Sequence, residues 1–264
     1  MQWENEAVSP TENMKHAPET GTENYGLAAN SQGFTFAATL DWRRLESIQA
    51  IRVRQSVVTK PTTVLRQGQN ATAFYSLLDG WGLRYRMLSD GRRQILSFLL
   101  PGDPVTLSAL SPRPLAYSVQ LLSEAVVSEF DVEAMKKHMR ENDELSASAN
   151  ACYERELAMA DEHMTNLGRR SAKERIAHLM LEFDALLHWR GAVHDGHIFM
   201  PLRQRHLADA LGLTTIHVNR TLRALRDEEL MDLRGGILRI LDREKLMTLA
   251  GFDGAYLSAG TVAG

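Results

Sequence analysis

The sequence predicts an α+β chain: an N-terminal jelly-roll β-sandwich, a long dimerisation helix and a C-terminal winged helix-turn-helix. Three observations carry that prediction. Between Ile51 and Phe130 the apolar residues fall in short runs separated by turn signals, the texture of a sandwich or jelly roll. From Asp131 onward the spacing changes to three and four residues, the period of a helix face. Near the C-terminus, Ala208, Gly212 and Val218 stand at the separations a helix-turn-helix needs.

Residues 1–38 are rich in Glu, Asn, Thr, Ser and Gly and lack an apolar period, so they read as a disordered tail. A short helix is expected over Leu40–Glu46, and residues 39–142 are assigned to the β-roll. Within it, Ser56–Thr59 runs into Lys60-Pro61, and Val64-Leu65 into Gln67-Gly68-Gln69-Asn70. Phe74–Leu78 ends at Asp79-Gly80, and Leu83–Leu88 at Ser89-Asp90-Gly91. Ile95–Leu100 stops at Pro101-Gly102-Asp103-Pro104; after a proline-bearing loop come Ala116–Leu122 and Ala125–Phe130. Asp90-Gly91 is the sharpest hairpin signal, because the tight two-residue turn needs positive φ at its central positions.

A short helix fits Val132–Met139, and Glu141-Asn142-Asp143 breaks it. A long helix then occupies residues 143–168, with Leu145, Ala149, Cys152, Met159 and His163 mostly three or four apart and small residues between them. Such a thin stripe suits close packing against a second identical helix. It also fits packing against the chain's own β-domain, and the sequence leaves both open. Ser171-Ala172-Lys173-Glu174 has the form of a capping box. It opens a helix with Ile176, Leu179, Met180, Phe183 and Leu187 on one side. Residues 169–250 are assigned to the winged domain and 251–264 to a flexible tail.

In the helix-turn-helix, Ala208 is small enough for the two helices to touch. Gly212 permits the left-handed turn between them, and Val218 packs the second helix on the first. Thr214 is placed to cap that second helix. Its exposed face then reads Thr215, Ile216, His217, Asn219, Arg220 and Arg223. Residues early on such a helix reach base edges in the major groove, and an arginine there can bond guanine O6 and N7 together. Arg203, Gln204 and Thr214 suit phosphates, which set register. Gly235-Gly236 turns a β-hairpin, the wing, with Arg234 near its tip. The chain carries a net charge of -3. Residues 203–226, however, hold five arginines against one aspartate, and screening within about 8–10 Å makes that local balance the relevant one.

These motifs resemble the Crp/Fnr family of bacterial regulators. Leu207–Leu225, Glu229-Leu230 and the Gly235-Gly236 wing resemble its DNA-binding domain, and Pro101-Gly102-Asp103 resembles a turn in its cyclic-nucleotide-binding-type roll. The resemblance implies a homodimer, a sensory roll, a two-fold symmetric operator in double-stranded DNA, and RNA polymerase as a partner. Two departures stand out. Members that bind cyclic AMP carry a glutamate soon after Pro-Gly-Asp and later an arginine followed by serine or threonine. Here the first stretch is Pro104–Ser108, without an acid, and the later pair is Pro114-Leu115, with Arg113 one residue off. Cyclic AMP is therefore not expected. Either another effector or a constitutively active dimer would fit. On the recognition helix, Thr215 and Ile216 replace the Arg-Glu or Glu that members with known preferences place early, and only Arg220 matches.

An enzyme on the roll, such as a metal-dependent dioxygenase, would need inward histidines. None lies between His16 and His138. His188, His194 and His197 with Asp195 fit no strong zinc spacing and read as loop residues. Cys152 is the single cysteine, which fits a reducing cytoplasm and a small helix-interface residue. No metal or cofactor is expected. No apolar run approaches the roughly 18–20 residues of a membrane span, and Met1–Glu12 has no secretory character.

Overall fold

The structure, a computed structural model, describes residues 14–16, 51–111, 113–193 and 195–258. The helix expected over Leu40–Glu46 lies outside them. Two compact units emerge among the described residues, one spanning 51–84 and 99–136 and the other 85–98 and 137–258.

The roll consists of two four-stranded sheets. One has the order β1 (Met14–His16), β2 (Arg52–Val58), β8 (Ala125–Asp131), β4 (Ala73–Asp79). The other runs β3 (Thr62–Leu65), β7 (Ser118–Leu121), β5 (Gly82–Met87), β6 (Arg93–Leu99). Strand β1 falls within the stretch expected to be a disordered tail. It pairs antiparallel with β2, Met14 opposite Val58, a pairing that no apolar period announces. Val58, Leu77, Ala125 and Val127 from the first sheet meet Leu99, Val119 and Leu121 from the second in one buried core, joined by Val105. Gly80 turns β4 into β5 at φ 89; a Cβ there would stand 2.4 Å from the Glu124 carbonyl oxygen, so only glycine fits.

After the roll, α1 (Val132–Glu141) is followed by α2 (Asp143–Arg169), whose first turn is capped by Asn142 Oδ1 accepting from Leu145 N at 2.9 Å. The Ser171–Glu174 capping box opens α3 (Ala172–Trp189). Ile176, Leu179, Met180, Phe183 and Leu187 are all buried, as the periodicity predicts. So are His178, Glu182 and Asp184, because α3 is covered nearly all round rather than on one face. The helices α4 (Gln204–Leu211), α5 (Thr215–Asp227) and α6 (Arg243–Ala250) pack with α3. The wing is a three-stranded sheet: β10 (Met231–Arg234), β11 (Ile237–Ile240) and the two-residue β9 (Ile198–Phe199).

Within the flexible tail expected over 251–264, the described residues 251–258 fold against the helices. Gly251 ends α6 in the left-handed conformation, Phe252 and Leu257 are buried, and Ala255–Ser258 forms a 3-10 turn. Phe252 and Tyr256, separated by Asp253-Gly254-Ala255, are too sparse for a periodic signal, yet both rings pack on His178.

Candidate nucleic-acid interface

The interface is built by α4 and α5. Ala208 is buried at their contact, and Gly212 takes φ 63, ψ 36. In that left-handed geometry the Gly212 and Leu213 N–H groups both turn back to the Ala208 carbonyl. Val218 and Leu225 are fully buried and Thr221 nearly so, which fixes the rotation of α5 about its axis. Thr214 Oγ1 accepts from His217 N at 3.2 Å, capping the helix.

With that face buried, Thr214, Thr215, Ile216, His217, Asn219, Arg220 and Arg223 are all exposed, as are Arg203 and Gln204 at the start of α4. Gln204 and Asn219 approach at 3.5 Å, linking the two helices across the exposed side. His206 is buried, and burial together with the charges of Arg93 and Arg205 pushes its pKa down to about 4. The ring is therefore neutral at pH 7, and its Nδ1 accepts the Arg203 N–H at 3.2 Å.

Two ion pairs reshape the charge inferred from sequence. Asp209 is held by Arg93 from the β5–β6 hairpin at 2.7 Å, with Gln94 Nε2 donating to the Ala210 carbonyl at 3.2 Å. The one acid among residues 203–226 is thus neutralised, by a residue 116 positions away in sequence. At the wing, Arg234 lies against Asp232 at 2.6 Å while its side chain stays largely exposed. It is available to a phosphate only in competition with that carboxylate.

Behind the interface, a polar cluster joins α2, α3 and the C-terminal segment. Glu182, 2% exposed, accepts from the Tyr256 hydroxyl at 2.6 Å and faces His163 Nε2 at 2.9 Å. Burial opposes the His163 charge. The Glu182 carboxylate outweighs it, and with the Leu96 carbonyl helping, the His163 pKa is raised. Burial likewise opposes the Glu182 charge, but the His163 charge and the two hydrogen bonds lower its pKa. His178 stacks on the Tyr256 ring at 5.8 Å and meets Phe252 edge-on at 5.1 Å. Its Nε2 lies 3.1 Å from Glu162, which also binds Arg170 at 2.6 Å.

Most of the residues expected to face a second helix are covered within the chain. Leu145, Ala149 and Cys152 are 0–1% exposed within the chain, Met159 is half-buried, and His163 is engaged by Glu182. The outward apolar stripe is instead Tyr153, Leu157, Ala160 and Met164, with Leu157 64% and Met164 63% exposed. Both stripes repeat at three and four residues and lie about 100° apart on the helix. Spacing alone does not say which one the chain covers.

Among the described residues no cluster of three or more His, Cys, Asp or Glu side chains could hold a metal. His188 lies against Asp184, which also binds Arg243, and His197 Nδ1 faces the Asp195 carbonyl. His194 lies outside the described residues.

Two family models match the chain. One, described as a Crp-like helix-turn-helix domain, covers residues 174–249, and the other, a cyclic nucleotide-binding domain, covers residues 56–142. The nitrogen fixation regulation protein FixK of Bradyrhizobium diazoefficiens is 34% identical over 189 residues, spanning 71% of this chain and 78% of that protein. The chain belongs to the Crp/Fnr family. The transcriptional activatory protein AadR of Rhodopseudomonas palustris is 31% identical over 201 residues, spanning 75% of this Crp/Fnr chain and 82% of AadR. The solved structure of FixK2 from Bradyrhizobium japonicum superposes with a TM-score of 0.67 at 28% identity, covering 74% of this chain and 96% of that one. As a Crp/Fnr protein the chain is a DNA-binding transcription regulator and not an enzyme.

Proposed function

We propose that this regulator acts as a homodimer on a two-fold symmetric operator. The two α2 helices pair along Tyr153, Leu157, Ala160 and Met164, and each α5 enters one of two successive major grooves. The half-sites then lie about 34–36 Å apart, one helical turn of DNA. The observation that carries this reading is the exposed, carboxylate-free face of α5 from Thr214 to Arg223, fixed in rotation by buried Val218 and Leu225. Arg220 bonds a guanine, with Thr215, Ile216, His217, Asn219 and Arg223 around it. Arg203, Gln204, Thr214 and Arg234 take phosphates. On this reading the protein works in the cytoplasm beside its DNA, with RNA polymerase as its downstream partner. None of the helices among the described residues is long and apolar enough to cross a membrane.

Control by cyclic AMP is disfavoured by how the corresponding stretch is occupied. Thr106 and Leu107 are buried, and Thr106 Oγ1 accepts the Tyr75 N–H at 3.0 Å. The Pro104 carbonyl takes Arg84 Nη2 at 2.6 Å, and Ser108 Oγ lies 2.9 Å from the Tyr117 hydroxyl. Pro114, where a phosphate-binding arginine would stand, is exposed and uncharged, Leu115 after it is 2% exposed, and Arg113 points to solvent. A second reading, in which a different small molecule controls the protein, is favoured by a cavity of about 390 Å³. Val64, Leu65, Val105, Leu121 and Val127 line it, and Arg54, Gln69 and Tyr75 supply polar groups. Selection of bound genomic fragments by the purified protein tests the main reading. A symmetric motif with one-turn spacing is expected, and recovery of fragments no different from random competitor would refute it.

A further inference from the structure

The outward ridge of α5 offers an unusual combination of groups. Ile216, Arg220 and Arg223 follow at four- and three-residue intervals, so they stand in one row opposite Val218 and Leu225. From Thr214 to Arg226 the helix has no carboxylate; the nearest, Asp227, is at its far end. Cytosine presents an N4 amino donor in the major groove, which a carboxylate reads well. Nothing of that kind is on this face, and the Thr214 hydroxyl already accepts from the helix backbone. Ile216 instead puts an aliphatic side chain into solvent at 77% exposure, higher than any other large apolar residue among those described. It contributes nothing to the core, which Val218, Thr221 and Leu225 complete without it.

The one base-edge group in the major groove that an aliphatic side chain can recognise is the thymine 5-methyl. We infer that Ile216 is a specificity residue, selecting a thymine in each half-site through contact with that methyl; this rests on the DNA-binding reading above. Arg220 lies one turn further on, about 6 Å along the helix axis. The thymine therefore falls within about two base pairs of the guanine bound by Arg220, given roughly 3.4 Å per base-pair step. A cytosine there loses the methyl and leaves its amino group facing a hydrocarbon. A 5-methylcytosine restores the methyl alone.

The full-length protein is first used to select duplexes from a random library. The winning duplex is then resynthesised with deoxyuridine, cytosine or 5-methylcytosine at the thymine of both half-sites. Loss of each methyl contact is expected to weaken binding about three- to five-fold, so about 9- to 25-fold for the pair. 5-Methylcytosine should bind more tightly than cytosine. Ile216→Ala should erase the thymine–uracil difference, and Ile216→Glu should move the selected base toward cytosine. Because the side chain is solvent-exposed, both variants should match the wild-type circular dichroism and melting temperature. If the thymine-to-uracil ratio stays near one, or survives Ile216→Ala, the assignment of Ile216 is overturned while DNA binding stands. Failure of the wild type to select any motif would overturn the DNA-binding reading itself.

Discussion

Replacing Tyr256 by phenylalanine removes one oxygen from the polar cluster and little else. The ring that stacks on His178 stays, and Leu257 stays buried. What disappears is a 2.6 Å hydrogen bond to a carboxylate that is 2% exposed. Burial and the adjacent Glu182 charge raise the Tyr256 pKa, so the hydroxyl is a donor throughout the accessible range. A hydrogen bond to a charged, buried acceptor contributes about 1.5–3 kcal/mol. For a chain of this size that corresponds to about 3–12 °C in the melting temperature of the C-terminal unit. Thermal unfolding across pH gives a second check. Glu182 has a lowered folded pKa, so its contribution is complete above the ordinary value of 4.5 and fades as pH falls through the folded value. His163 has a raised folded pKa, so its contribution is complete below the ordinary 6.5 and fades as pH rises through the folded value. The Glu182–His163 pair therefore contributes most between about pH 4.5 and 6.5, against His178, whose burial-lowered pKa makes it work the other way as pH falls below 6.5; His163→Gln should remove the pair's contribution. A Tyr256→Phe protein melting within about 1 °C of wild type at pH 6 would refute the reasoning, since so small a change is about 0.5 kcal/mol or less.

Four further outcomes follow from the interface and α2. Arg220→Ala should lower affinity for the selected operator about ten- to a hundred-fold, with the dimer intact by sedimentation; unchanged footprints would count against base reading. Arg203→Ala should weaken all sequences alike and reduce the slope of log affinity against log salt by about one, measured by fluorescence anisotropy. Leu157→Asp, which puts a charge in the outward stripe, should give monomers in sedimentation without lowering helicity, whereas Leu145→Asp should lower thermal stability because that side chain is buried. Gly212→Val places a β-branched residue at φ 63 and should cost at least about 1–2 kcal/mol, read by chemical denaturation together with loss of DNA binding.

Much of this architecture is written locally and can be read locally. The run of turn signals placed the strands from Arg52–Val58 to Ala125–Asp131 within a residue or a few at most ends. The Ser171 box, the Thr214 cap and the Gly212 turn each need only a handful of neighbouring residues, and all three form as expected. What failed to show depends on partners distant in sequence. The Arg93–Asp209 pair joins two exposed-looking charges whose proximity no periodicity encodes. The burial of Leu145, Ala149 and Cys152 is a choice between two equally spaced stripes. His178, Glu182 and Asp184 look like the solvated side of α3 until Tyr256, Phe252 and Arg243 arrive to cover or pair with them.

The last of these has a bearing on how the protein is made. Every side chain assigned to DNA lies at or before Arg234, so synthesis of the complete reading head ends well before its supports are in place. Tyr256 is among the last described residues to leave the ribosome, and until it does Glu182 lacks the hydroxyl that shields it. A shortened chain ending at Ala250 would keep all its contact arginines yet carry an uncovered acid in its interior. Such a product should be degraded faster than a chain that carries Tyr256.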